Sequence, residues 1–170
     1  MEQIKTLAKS FRKKYEGTLS KLQDATGDGK SLYDAIVEYE NITSQLSKVS
    51  SYLSLSYDVK LSDDSLKKRQ NAIDQLESSI DGDYLEWFSL DIAQLSPETI
   101  QSHYDEQPKL QNYKSFIDKQ RQYRPHNLSK DVERALTVRA PYAGTDPVVS
   151  FYERELSLMS FTLRGEKINM

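Results

Sequence analysis

Leu32, Ala35, Tyr39, Ile42, Leu46, Val49 and Leu53 follow one another at alternating steps of three and four residues. An α-helix completes a turn every 3.6 residues, so this spacing draws all seven onto one stripe. Ile36 and Val37 widen the stripe beyond a narrow coiled-coil seam, and the helix is expected to pack on two neighbours, as in a bundle. A strand would need a period of two, which this segment lacks.

The same rhythm recurs along the chain. Residues 2–25 form a first helix with Ile4, Leu7, Phe11, Tyr15, Leu19 and Leu22 on one face, weakened at Gly17 and ended by Thr26-Gly27-Asp28-Gly29. A third helix starts at the capping residues Ser62-Asp63-Asp64 and carries Leu66, Ile73, Leu76, Ile80, Tyr84, Trp87, Phe88, Ile92 and Leu95. Asp81-Gly82-Asp83 interrupts its pattern, so that either the helix bends there or two helices meet; one long helix is expected. Ser96-Pro97-Glu98 restarts a short helix to about His103, with a cap, a proline in the first turn and an acid at the positive end.

Pro108 opens a further helix with Leu110, Tyr113, Phe116, Ile117 and Tyr123, which must stop near Arg124 because Pro125 disfavours helix before it. Ser129 caps a helix through Val132, Ala135 and Leu136. After a loop from Ala140 to Thr145, Asp146-Pro147 starts the last helix, with Val149, Tyr152, Leu156, Met159 and Leu163 on its stripe. Arg164-Gly165-Glu166 can form a tight turn between two short strands. The second strand would end where the sequence ends, which leads us to expect a domain cut from something larger. The expected fold is therefore all-α: a bundle of about six to seven helices, long antiparallel helices first, with a short C-terminal β-hairpin. Residues 1–170 are taken as one domain, in line with ~100–200 residues per domain.

Composition agrees and excludes several functions. A hydrophobic fraction of 37% and a charged fraction of 29% suit amphipathic helices with solvated outer faces. The net charge of −3 lacks the cationic excess a nucleic-acid binder needs to neutralise phosphates, and the short runs Arg12-Lys13-Lys14 and Lys67-Lys68-Arg69 sit among acids. With no cysteine, disulfides and thiolate chemistry are excluded. No apolar run approaches the ~20 residues of a membrane span. Met1 to Lys5 lacks the apolar core of a secretory signal, so a cytoplasmic location is expected.

No motif survives inspection as a site. Gly29-Lys30-Ser31 has Asp24 where a phosphate loop needs its first glycine, and a helix where it needs a strand. Asp24-x-Thr26-x-Asp28-Gly29 opens like a calcium loop, but its twelfth position is Ala35 in place of a bidentate glutamate. His103 and His126 lack partners at helical metal-ligand spacing and are expected at the surface or in loop packing. Most of the eleven tyrosines are expected in the core with a hydroxyl at the rim, a few of them lining a peptide groove. Catalytic, metal and cofactor-binding residues are expected to be none, and substrate-binding residues remain unassigned.

A family resemblance covers the chain from about Leu7 to Ile168. Phe11-x-x-Lys14-Tyr15-x-Gly17-x-Leu19, Tyr52-Leu53-Ser54-Leu55-Ser56-Tyr57 and Leu85-x-Trp87-Phe88-x-Leu90-Asp91-Ile92 carry part of it. The most specific stretch is Leu110-x-x-Tyr113-x-x-Phe116-Ile117, followed by Arg124-Pro125-His126-Asn127-Leu128-Ser129-x-x-Val132-Glu133-x-x-Leu136. In order and spacing these segments resemble the N-terminal domain of oligoendopeptidase F zinc peptidases. The chain departs from the family's pattern at Ala140-Pro141-Tyr142 and at Val148, where the family has a Ser-containing segment and a Trp. The family's His-Glu-x-x-His helix is absent from this sequence.

The resemblance implies a non-catalytic wall or lid facing a catalytic domain of the same polypeptide. That domain would hold the zinc, and the whole enzyme would cleave short peptides. No nucleic-acid or membrane partner is implied. The alternative is a stand-alone helical interaction module without enzymatic activity. A domain built to meet a catalytic half should expose an apolar surface from Phe151 to Ile168, whereas an independent adaptor should be polar there.

Overall fold

The computed structural model describes residues 2–17, 29–60, 63–143 and 145–169. Its contacts divide the chain into two compact units, residues 1–138 and 139–170. The described residues of the first unit form α1 (Glu2–Tyr15), α2 (Gly29–Val59), α3 (Asp64–Ile80), α4 (Glu86–Gln94), α5 (Pro97–Glu106), α6 (Lys114–Tyr123) and most of α7 (Lys130–Arg139), with short turns between them. The second holds α8 (Thr145–Leu158) and an antiparallel hairpin of β1 (Ser160–Leu163) and β2 (Glu166–Asn169). The fold class is all-α.

α1 ends at Tyr15, earlier than the expected residue 25, and Gly17 follows with φ +83, a conformation that glycine alone adopts without strain. The rest of the expected first helix, residues 18–25, lies outside the described residues, as do Asp24, Thr26 and Asp28 of the calcium-like motif. Asp63 caps α3, its carboxylate accepting from the amides of Ser65 at 2.9 Å and Leu66 at 3.2 Å. Between α3 and α4 the chain stays helical but widens into a π turn, Asp81–Leu85, so the interrupted third helix is one rod with a bulge. Ser96 caps α5 by accepting from the Thr99 amide at 3.1 Å, with Pro97 in the first turn. α6 stops at Tyr123 and gives way to a 3-10 turn, Arg124–His126, as Pro125 requires.

The core gathers where α1, α2, the π turn, α4, α5 and α6 meet. Phe11 stands at its centre, with ring centroids of Tyr15 and Phe88 at 5.2 Å and Trp87 at 5.7 Å. Leu32, Ile36, Phe88, Ile92, Leu110 and Ile117 close around this cluster, each almost completely buried. Burying such side chains stabilises the fold by ~1.5–3 kcal/mol apiece relative to exposure. α2 packs against α1, α3 and α5, one neighbour more than its stripe predicted. On α1 the buried face is Ile4, Ala8, Phe11 and Tyr15, while Leu7 is exposed. Val37, expected to widen the α2 stripe, is likewise exposed, whereas Ile36 is buried.

Beyond Leu46 no residue of α2 is buried, and α3 buries only Ile80. α2 and α3 pack on each other, and Val49 and Leu76 are half-buried side chains set against the core. In the second unit, Arg164 (φ 53) and Gly165 (φ 88) form the hairpin turn, and Glu166 opens β2 opposite Leu163. Positive φ at both central residues is the geometry that matches the twist of a two-residue hairpin.

Candidate functional site

α2 carries two faces. Ile36 and Tyr39 lie toward the core, and the next positions around the helix, Glu40 and Thr43, lie at the rim. Opposite them, a 3-10 turn (Pro108–Tyr113) leads into α6 and supplies Tyr113 and Phe116. Together Ile36, Tyr39, Glu40, Thr43, Tyr113 and Phe116 line an open cleft of about 300 Å³. The Tyr39 ring bridges core and cleft, 5.1 Å from Phe88 on one side and 5.8 Å from Phe116 on the other. Tyr113 meets Tyr33 edge to face at 6.0 Å.

The cleft has one charged group. Tyr113 Oη donates to Glu40 Oε2 at 2.7 Å. That hydrogen bond to the carboxylate, with burial adding to it, pushes the Tyr113 hydroxyl up to about 12. Among the described residues Glu40 makes no ion pair; its neighbour on α2, Glu38, takes Lys14. An apolar, aromatic cleft with a single carboxylate at its lip can hold an apolar stem and orient one positive or hydrogen-bonding group.

A second polar system fixes α7. Lys130 reaches Asp91 at 2.5 Å, Arg134 reaches Asp83 at 2.7 Å, and Thr137 donates to Glu86 at 2.8 Å. Arg12 donates to the carbonyl of Asp83 from the other side. Burial is the main cause that raises the Asp81 and Glu86 carboxyls above their ordinary values. α7 itself buries no side chain, and its Val132 and Leu136 are exposed. In the second unit Val148, Phe151, Tyr152, Leu158, Phe161 and Leu163 are all more than half exposed.

The residues singled out in the sequence fall as follows. Gly29 begins α2, and its amide donates to Glu106 Oε2 at 2.8 Å, so a carboxylate of this chain occupies the place a phosphate would need. His126 is exposed, but His103 is buried (1% exposed), against the expectation of a surface or loop position. It shares the inner face of α5 with Thr99, Ile100 and Tyr104, a spacing of three and four that marks it as a core position. The tyrosines are less buried than expected: Tyr15 and Tyr104 are buried, Tyr33, Tyr39, Tyr57, Tyr84 and Tyr113 half-buried, and Tyr52, Tyr123, Tyr142 and Tyr152 exposed. Tyr39 and Tyr113 were visible in the sequence as aromatics, but nothing local paired them with Glu40. Among the described residues no three His, Cys, Asp or Glu side chains are grouped to hold a metal ion. No helix among them is long and apolar enough to cross a membrane.

The family model described as Peptidase_M3_N, oligopeptidase F, matches residues 91–145. These residues contain the stretch from Leu110 to Leu136 that carried the most specific part of the sequence resemblance. No curated protein matches the chain. Among solved structures, oligoendopeptidase-F from Enterococcus faecium is similar in fold, with a TM-score of 0.78 at 20% sequence identity. The likeness covers 99% of this chain and 32% of that one, so the chain spans about a third of the solved enzyme's length. Over residues 91–145 the sequence is thus similar to the oligopeptidase F family model, and over nearly its whole length the chain shares the fold of part of a solved oligoendopeptidase-F.

Proposed function

We propose that residues 1–170 act as one non-catalytic, substrate-channel domain of an oligoendopeptidase F-like zinc metallopeptidase that cleaves short peptides. The reading rests on one combination: a fold shared across 99% of this chain with 32% of a solved oligoendopeptidase-F. Zinc would be bound by a catalytic domain of the same polypeptide, polarising the scissile carbonyl and its attacking water. The helical domain would wall a channel too narrow for folded proteins, and the enzyme would work in the cytoplasm.

The exposed apolar side chains of α8 and β1 support a surface meant to meet another domain. Leu158 is 74% exposed and Leu163 60% exposed, and Val148, Phe151, Tyr152 and Phe161 are exposed within the same stretch of chain. This is the surface that separates the reading from an independent adaptor, which should be polar there.

The test is the intact mass of the native protein in its source cells, with peptide mapping. A mass far above 19.6 kDa, with peptides containing His-Glu-x-x-His, is the expected result. A native mass equal to this chain would overturn the reading in favour of an interaction module. The purified 170-residue chain is expected to leave a short peptide uncleaved; zinc-dependent cleavage that survives inhibitors of contaminating proteases would refute its non-catalytic role.

A further inference from the structure

We infer that the cleft between α2 and the 108–116 segment binds the cationic side chain, arginyl or lysyl, of a short peptide. The inference rests on the peptide-channel reading above and deepens it by naming which side chain the domain selects.

The chemistry of the lining makes the choice. Ile36, Tyr39 and Phe116 offer apolar and ring surface to a methylene stem, in a volume of about 300 Å³. Long cationic side chains pack their stems in this way while the head stays at the rim. At the rim stands Glu40, which is exposed, in no ion pair among the described residues, and aimed by Tyr113 Oη at 2.7 Å. A neutral apolar guest would strip water from that carboxylate without replacing its hydrogen bonds, which carries a desolvation penalty. An anion would meet repulsion. A cation replaces the lost water and gains the faces of the surrounding aromatic rings. A bare metal ion is a poor guest, because one carboxylate and the hydroxyls of Tyr39, Thr43 and Tyr113 fall short of the six or more oxygens that calcium takes.

The bland alternative is that the Tyr113–Glu40 hydrogen bond only ties the 108–113 turn to α2. The two readings separate on charge selectivity. The probe is a blocked tripeptide, acetyl-Ala-Arg-Ala-amide, against the same peptide with neutral, isosteric citrulline. Each is titrated into the isotopically labelled 170-residue chain, following the amides of Tyr39, Thr43 and Phe116 by NMR.

The arginine peptide is expected to bind about tenfold more tightly, the scale of one exposed ion pair plus one cation–π contact. Glu40→Gln is expected to bring it down to the citrulline level, and Tyr113→Phe to keep most of the preference because the carboxylate remains. Glu40 is exposed, so its replacement leaves the core intact, and unchanged amide shifts away from the cleft verify this. Equal binding of the two peptides, a preference that persists in Glu40→Gln, or no binding of either peptide overturns the cation site. Each of those outcomes leaves the channel-domain reading standing, since that is decided by the native mass and the peptide map.

Discussion

A Cβ atom on Gly29 would lie 2.7 Å from the carbonyl oxygen of His103 and 3.2 Å from its Cα. The start of α2 therefore touches the backbone of α5, and only a residue without a side chain permits it. The same contact brings the Gly29 amide to Glu106. Gly29→Ala is expected to destabilise the first unit by about 1–3 kcal/mol, because helix backbone must shift to relieve the overlap. Glu106→Gln, which keeps an acceptor but removes the charge at the helix start, should cost about 0.3–1 kcal/mol. Urea midpoints of the three proteins check both. A Gly29→Ala midpoint equal to or above that of the parent would contradict the close approach.

Phe11 joins four aromatic neighbours, Tyr15, Tyr39, Trp87 and Phe88, into one cluster. Phe11→Ala should cost about 3–5 kcal/mol, since a rigid ring cluster collapses poorly onto a cavity. Trp87 is the sole tryptophan, so its fluorescence follows unfolding of this core without a label. Leu7→Ala, one turn away but exposed, should move the midpoint by less than about 0.5 kcal/mol. Comparable losses at the two positions would mean that α1 presents a different face.

Lys130 holds Asp91, whose side chain is only 8% exposed. Lys130→Met removes the partner of a buried carboxylate, and about 1–3 kcal/mol of stability should go with it. Because α7 buries no side chain, the loss should fall mainly on that helix. Hydrogen exchange is the measurement: α7 amides should exchange faster in Lys130→Met while those around Phe88 stay protected. Unchanged exchange along α7 would show that this ion pair does not hold it.

Burial raises the Asp81 carboxyl above its ordinary value, and the nearby Glu77 carboxylate pushes in the same direction. The sign follows from proton counting. Between the unfolded and the raised folded value, the unfolded state holds fewer protons, so stability falls as pH rises through that interval. The penalty is fully present above the folded value and absent below the unfolded one. Asp81→Asn should therefore raise the thermal midpoint at pH 7 and have a smaller effect at pH 4. A benefit that is greatest at pH 4 would reverse the assignment.

Leu158 and Phe161 are exposed at the end of α8 and the start of β1. Leu158→Ser together with Phe161→Ser should change stability by less than about 0.5 kcal/mol at each position, the usual range for surface sites. The pair should reduce any self-association of the purified chain in sedimentation at high concentration. A large loss of stability would mean that these side chains are structural and not an interface.

Most helices could be placed from the sequence because periodicity, caps and prolines act locally. Asp63, Ser96-Pro97 and Pro125 mark boundaries within one turn of themselves, and the stripe from Leu32 to Leu46 can face only one way. The choice between Leu7 and Ala8, or between Ile36 and Val37, lay beyond that kind of argument. Both members of each pair sit near the stripe, and the neighbouring helix decides which is covered. His103 was misplaced for the same reason, since polarity argues for the surface while its spacing with Ile100 and Tyr104 sets it inward. The cleft was invisible because Glu40 and Tyr113 are 73 residues apart.

By itself the sequence determined the helical class, the hairpin turn, the exclusion of thiol chemistry and the resemblance later met by the family match at residues 91–145. These follow from residue types and short spacings, which survive without knowledge of any partner. Only the tertiary structure decided that Asp81–Leu85 widens into a π turn, where Gly82 lets α7 approach to 2.8 Å of a would-be Cβ through Val138. It alone brought Glu40, hydrogen-bonded by Tyr113 and in no ion pair among the described residues, to the lip of an aromatic cleft. Such contacts are set by how whole helices cross, and the free energy that chooses a crossing is summed over surfaces far apart in the chain.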